Sequence, residues 1–148
     1  MPLSLDTTHL RDVLLKTLEV RRGIEAEAGM VAARKRTAED LKDIELKLNE
    51  MERVHLSKGT SGPEDLQFHL AIYDATHNPL FRQLLEQMRD AFERFWDKPF
   101  DRPDFARRSF PFHRTLFNAI ADQDPEAARA ETLKILDIVE QDIKEMSQ

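Results

Sequence analysis

In EDLQFHLAIYDATHNPL, residues 64–80, an aspartate and a histidine stand four apart, Asp65 and His69. On a helix, residues so spaced lie about forty degrees apart around the axis, so both side chains project from one face. A carboxylate beside a neutral imidazole is half of a divalent-metal site, of a kind that suits zinc, nickel, manganese or iron. The remaining donors must come from elsewhere in the chain. His113 is the candidate, because in FPFHRTLFNAI it lies beside the stripe of Phe112, Leu116 and Ile120 that a helix would bury. The same residues have a plainer account. An aspartate in a first helical turn is favoured by the helix dipole, and a histidine beside an apolar stripe serves as a satisfied core residue.

Other chemistries find less support. His77 precedes an Asn-Pro helix start and reads as part of that turn, and His9 and His55 stand among polar neighbours. There is no cysteine, and Ser4, Ser57, Ser61, Ser109 and Ser147 fall at loop or terminal positions, so a Ser-His-acid triad has no elbow to stand on. Gly-rich phosphate loops are absent. A formal net charge of −6 argues against direct contact with nucleic acid, which needs a basic face to displace counterions. The clusters RRG (21–23) and AARKRT (32–37) are flanked by acids and read as solvated helix faces.

The elements that must hold these residues are helices. Apolar positions recur at helical spacing almost throughout, and β-branched runs are missing. The start signals divide the chain: Thr37 ahead of Ala38, Glu39 and Asp40; Ser61-Gly-Pro-Glu64; Asn78-Pro79; and Asp124-Pro125. The pattern predicts helices over 7–17, 18–35, 37–57, 63–76, 79–97, 103–122 and 125–146, with SKGTSG (57–62) as the flexible linker. The expected fold is all-α, an antiparallel bundle of six to seven helices in one domain spanning 1–148. Eight aromatics between Phe92 and Phe117, across the Pro-rich KPFDRPDF, form either a core cluster with a loop plug or the apolar wall of a ligand pocket or dimer face.

A chain of 148 residues buries enough surface to fold without a metal, so a bound ion would serve function rather than stability. With no cysteine, no bilayer-length apolar run and no basic-then-apolar leader in MPLSLDTTHLRDV, a cytoplasmic protein without membrane contact is expected.

Three segments in order, LEVRRGIEAEAGMVAARKRTAEDL (18–41), DLQFHLAIYDATHNPL (65–80) and FHRTLFNAIADQDPEAARAETLKIL (112–136), resemble the successive signatures of the FCD domain. That domain is the C-terminal effector-binding part of the FadR subgroup of GntR transcription regulators. The resemblance implies a helical bundle that is usually a homodimer, binds a small organic acid and signals to a preceding winged helix. DNA would then be reached only through a domain that is not in this chain. It also implies a divalent metal, zinc or nickel, held by Asp65, His69 and His113, with an effector carboxylate assisted by Arg21. The fourth family ligand falls at Ile135, which cannot coordinate, and Glu131 one turn earlier reaches either inward or into solvent. Arg21 also has a local partner, Glu25 at i+4. Two further functions remain in view: a metal-dependent enzyme built on the same Asp/His/His set, and a purely structural helical dimerisation module.

Overall fold

The computed structural model describes residues 9–147, which contain seven α-helices and no strand. These are α1 (Leu10–Lys35), α2 (Ala38–Lys58), α3 (Gly62–Ala75), α4 (Pro79–Gln87), α5 (Arg89–Glu93), α6 (Phe112–Ala121) and α7 (Pro125–Met146). Two single 3-10 turns, Arg94–Trp96 and Pro99–Asp101, lie between α5 and α6. The all-α expectation holds.

The helix starts are chemical as well as positional. Thr37 accepts from the Asp40 amide while the Asp40 carboxylate accepts from the Thr37 amide, a reciprocal pair that satisfies two orphan donors. Asn78 and Asp124 cap α4 and α7 through the amides of Leu80 and Ala127, each followed by proline at the first helical position. Ser61 departs from expectation, making no side-chain cap. What matters at that junction is Gly62, where a Cβ would sit 2.1 Å from the Trp96 carbonyl oxygen, so the start of α3 meets the backbone of the 3-10 turn at a distance only glycine permits.

Four predicted helices are redrawn. The pair expected over 7–17 and 18–35 is one helix from Leu10 to Lys35, because no proline or capping residue interrupts the buried stripe Leu14, Leu18, Arg21, Glu25, Ala28 and Ala32; residues 7 and 8 lie outside the described residues. The helix expected over 79–97 breaks at Met88, whose φ/ψ of −108°/19° ends α4 and opens α5. The break lets Leu85 and the later Phe92, Phe95 and Trp96 all reach the interior, which one straight stripe does not achieve. The helix expected over 103–122 begins only at Phe112. Pro111 supplies no amide and disfavours helical backbone at Phe110, and Ala106 is left-handed at φ 69°.

α1 packs chiefly on α7, α2 on α3, and α6 on α7, and three-residue connections make the second and third of these pairs antiparallel. At the α1–α7 seam, Gly29 lets Thr132 approach α1 closely. One continuous core runs between them, with Leu14, Ile44, Leu48, Phe68, Leu116, Ile120, Leu136 and Ile143 fully or almost fully buried. Across one end of this frame lies the segment 94–111, irregular except for its two 3-10 turns.

Candidate metal centre

Asp65 and His69 lie on the first two turns of α3, and His113 is the second residue of α6; all three are buried. α3 and α6 both pack on α1 and α2, and the His113–Asp65 contact joins the start of α6 to the Asp65 face of α3 inside the bundle. One donor atom from each of the three lies within 4.8 Å of the others. Asp65 Oδ1 is 2.9 Å from His69 Nε2 and 3.1 Å from His113 Nε2. Two ligands each about 2.0–2.1 Å from a tetrahedral zinc are about 3.3 Å apart, so these separations suit such an ion.

The second nitrogen of each imidazole is occupied. His113 Nδ1 donates to the Phe110 carbonyl at 3.0 Å, which leaves Nε2 facing Asp65. His69 Nδ1 lies 2.9 Å from Glu25 Oε1, an ion-pair contact whose N–H is not aimed well enough at the oxygen to make a good hydrogen bond. Glu25 also accepts from Arg21 Nε through its other oxygen. A ring held at one nitrogen by a carbonyl or carboxylate, with the other nitrogen turned to a shared carboxylate, is the arrangement that prepares histidine for metal ligation.

The charges are tightly matched. Burial opposes ionisation of Glu25, yet Arg21 and His69 overcome it and hold the carboxyl at about 2. Burial likewise opposes a charged His69, and Glu25 and Asp65 on its two sides raise it to about 9. Asp65, buried but facing both imidazoles, is held well below the usual carboxylate range. In the absence of an ion, the Arg21 guanidinium and a proton on His69 supply positive charge to the two carboxylates.

Ile135 of α7 borders the same space. With Arg21, Asp65, His69 and His113 it lines a cavity of about 10 Å³, roomy enough for about one water-sized sphere. Glu131 turns outward and accepts from Thr115 at the surface. A second cavity of about 30 Å³ lies on the other side of Asp65 and His113, bounded by His55, Ser61, Lys98, Arg102 and Phe110. Both are walled on one side by segment 94–111, in which Phe95, Trp96 and Phe105 are buried and Phe110 stacks on the His55 ring at 3.7 Å. The aromatic cluster is therefore core, plug and cavity wall together.

Sequence reasoning brought Asp65, His69 and His113 together and passed over two others. Glu25 figured only as a partner for Arg21; its place on the apolar stripe of α1, where a charge needs a buried counterpart, was the signal available. His55 offered none, since its stacking partner comes from an irregular loop. His77 pairs with Asp40 at the surface, away from the site. Arg21 is deeply buried, with its guanidinium 4.4 Å from the centre of the Phe95 ring and 4.7 Å from that of Trp96, and it makes the local pair with Glu25 while also lining the smaller cavity.

Residues 16–137 match the family model of the FCD domain. The chain belongs to the FCD family. That family is regulatory rather than enzymatic, and the FCD relatives of this chain are transcription regulators. It is 31% identical over 147 residues to the HTH-type transcriptional regulator LutR of Bacillus subtilis, covering 94% of this chain and 66% of that protein. It is 31% identical over 133 residues to the galactonate operon transcriptional repressor of Escherichia coli, covering 87% and 57% respectively. For the Uxu operon transcriptional regulator of the same species the figures are 29% over 137 residues, 88% and 53%. The chain thus spans between about half and two-thirds of the length of these relatives. Among the described residues no helix is long and apolar enough to cross a membrane.

Proposed function

We propose that this FCD domain, taking residues 1–148 as one unit, senses a small organic acid through a divalent ion and controls DNA binding by a winged helix outside this chain, working as a homodimer. The observation that carries the reading is the convergence of Asp65, His69, His113 and the buried Arg21 on one small cavity. Three donors of mixed nitrogen and oxygen character, each imidazole held from behind, fit zinc or nickel. Such an ion would act as a Lewis acid toward an effector carboxylate, and Arg21 supplies a second positive group beside it.

A relative named for a galactonate operon points to polyhydroxy carboxylates as the effector class. Such a molecule needs a pocket of roughly 300 Å³ or more, far beyond cavities of about 30 and 10 Å³. Effector binding therefore requires segment 94–111 to move, and that displacement is the change a dimer would transmit. Only a ligand that favours one arrangement over the other shifts the equilibrium.

Ile135 leaves at most three protein ligands, Asp65, His69 and His113, so an ion would be held weakly unless water or an effector oxygen supplied a fourth donor. Calorimetric titration with zinc or nickel tests this. Wild type is expected to bind weakly, His69→Ala not at all, and Ile135→His at least about tenfold more tightly than wild type. Negligible binding by both wild type and Ile135→His would leave a polar pocket without a metal. Failure of the metal-loaded protein to bind any small hydroxy acid would favour a structural dimerisation module.

A further inference from the structure

Glu25 is the one buried carboxylate at the site that faces away from the shared donor position, and it touches both of the site's functions. One of its oxygens lies 2.9 Å from His69 Nδ1, on the side of the ring opposite Asp65, and its other oxygen accepts from Arg21 Nε. Arg21, Glu25 and His69 are all buried, so none of these charges is relieved by solvent. Arg21 in turn lies against Phe95 and Trp96, where the segment closing the cavities begins. From these contacts we infer that Glu25 is the positioning residue of the centre: it turns the Nε2 of His69 toward the ion and, with the same carboxylate, fixes Arg21 at the cavity wall.

The chemistry requires a group of this kind. An imidazole on a helix turns about its side-chain torsions, and a ligand nitrogen displaced by half an ångström no longer shares an ion with two others. A carboxylate behind the ring restrains that rotation and raises the basicity of the ligating nitrogen, an effect whose loss weakens metal sites about 10–100-fold. His113 has a backbone carbonyl in the corresponding place, which no side-chain substitution removes. The inference concerns this chain's residues toward the ion of the proposed function, and so rests on that reading.

Cobalt(II) is the probe, because its visible spectrum reports the geometry of the ligand shell as well as occupancy. Wild type, Glu25→Gln and Glu25→Ala are titrated with Co(II), with circular dichroism recording whether each is folded. Glu25→Gln, close in shape but neutral, is expected to bind about tenfold more weakly with a shifted spectrum, and Glu25→Ala up to about 100-fold more weakly. Should the alanine variant fail to fold, the glutamine variant alone decides. Wild-type affinity and spectrum in folded Glu25→Gln would overturn the positioning role while leaving the metal reading intact. Absence of Co(II) binding by wild type would overturn the metal reading and this inference with it.

Discussion

The helical frame and the segment that closes it are built on different terms. In the frame, α1, α2, α3, α6 and α7 bury continuous apolar stripes, and α2 and α7 begin at side-chain caps. In segment 94–111, the longest regular pieces are 3-10 turns, and four non-glycine residues, Lys98, Phe100, Asp101 and Ala106, take left-handed backbone at φ between 42° and 69°. Each such residue costs roughly 1–2 kcal/mol against ordinary backbone. The segment keeps its shape because Phe95, Trp96 and Phe105 are buried beneath it. Local preference and tertiary packing agree in the frame; in the cover, packing overrides local preference. Asp65, His69 and His113 all sit on the frame, and the cover reaches the site through one bond, from His113 Nδ1 to the Phe110 carbonyl.

That division is open to measurement. The largest difference is expected from side-chain truncation: Leu116→Ala should cost about 2–5 kcal/mol of unfolding free energy, whereas Phe110→Ala, partly buried and stacked on His55, should cost about 1 kcal/mol. Denaturant unfolding of both variants reads this, and equal losses would erase the distinction between frame and cover.

The next effect concerns the site itself. His69, raised to about 9, must release its proton before it ligates an ion, so apparent zinc or nickel affinity should climb about tenfold per pH unit between pH 7 and 9. Stability without the ion runs the other way. A histidine raised above its unfolded value contributes fully below about pH 6.5 and loses its contribution as pH rises through 9, so the melting temperature of the ion-free protein should fall across that window. An affinity that is flat from pH 7 to 9 would mean His69 is not a ligand.

The smallest effect has a sign that differs between the two regions. Ala106→Gly relieves left-handed backbone and should stabilise by a few tenths of a kcal/mol after the added chain entropy is set against it. Ala32→Gly, the same change inside α1, should destabilise by about 1 kcal/mol. Thermal melts of the pair suffice, and destabilisation by both would contradict the strain assigned to the cover.

The frame was legible in the sequence because its information is local. Thr37 with Asp40, Asn78-Pro79 and Asp124-Pro125 announce helices by short-range hydrogen bonding and fixed proline geometry. The i,i+4 pair Asp65 and His69, with His113 beside an apolar stripe, indicated a meeting point that the bundle provides. The break at Met88 has no local signal, since it arises from the competing demands of Leu85 and of Phe92, Phe95 and Trp96 for burial. Pro111 was a local signal of the opposite kind, marking the true start of α6 against a helical pattern that ran through it. Glu25 behind His69 was hidden because the contact joins α1 to α3, and spacing within one helix says nothing about which neighbour a buried charge will face.

Under the proposed function, the two small cavities set an order of events in time. If the domain takes a small acid as proposed, cavities of about 30 and 10 Å³ do not hold it while segment 94–111 is in place, and capture would wait for the segment to open. At low concentration the observed association rate then grows with ligand, and at high concentration it levels off at the opening rate, whatever the acid. Closure over a bound acid would slow its escape in the same measure, giving a residence time set by the protein more than by the strength of any one contact.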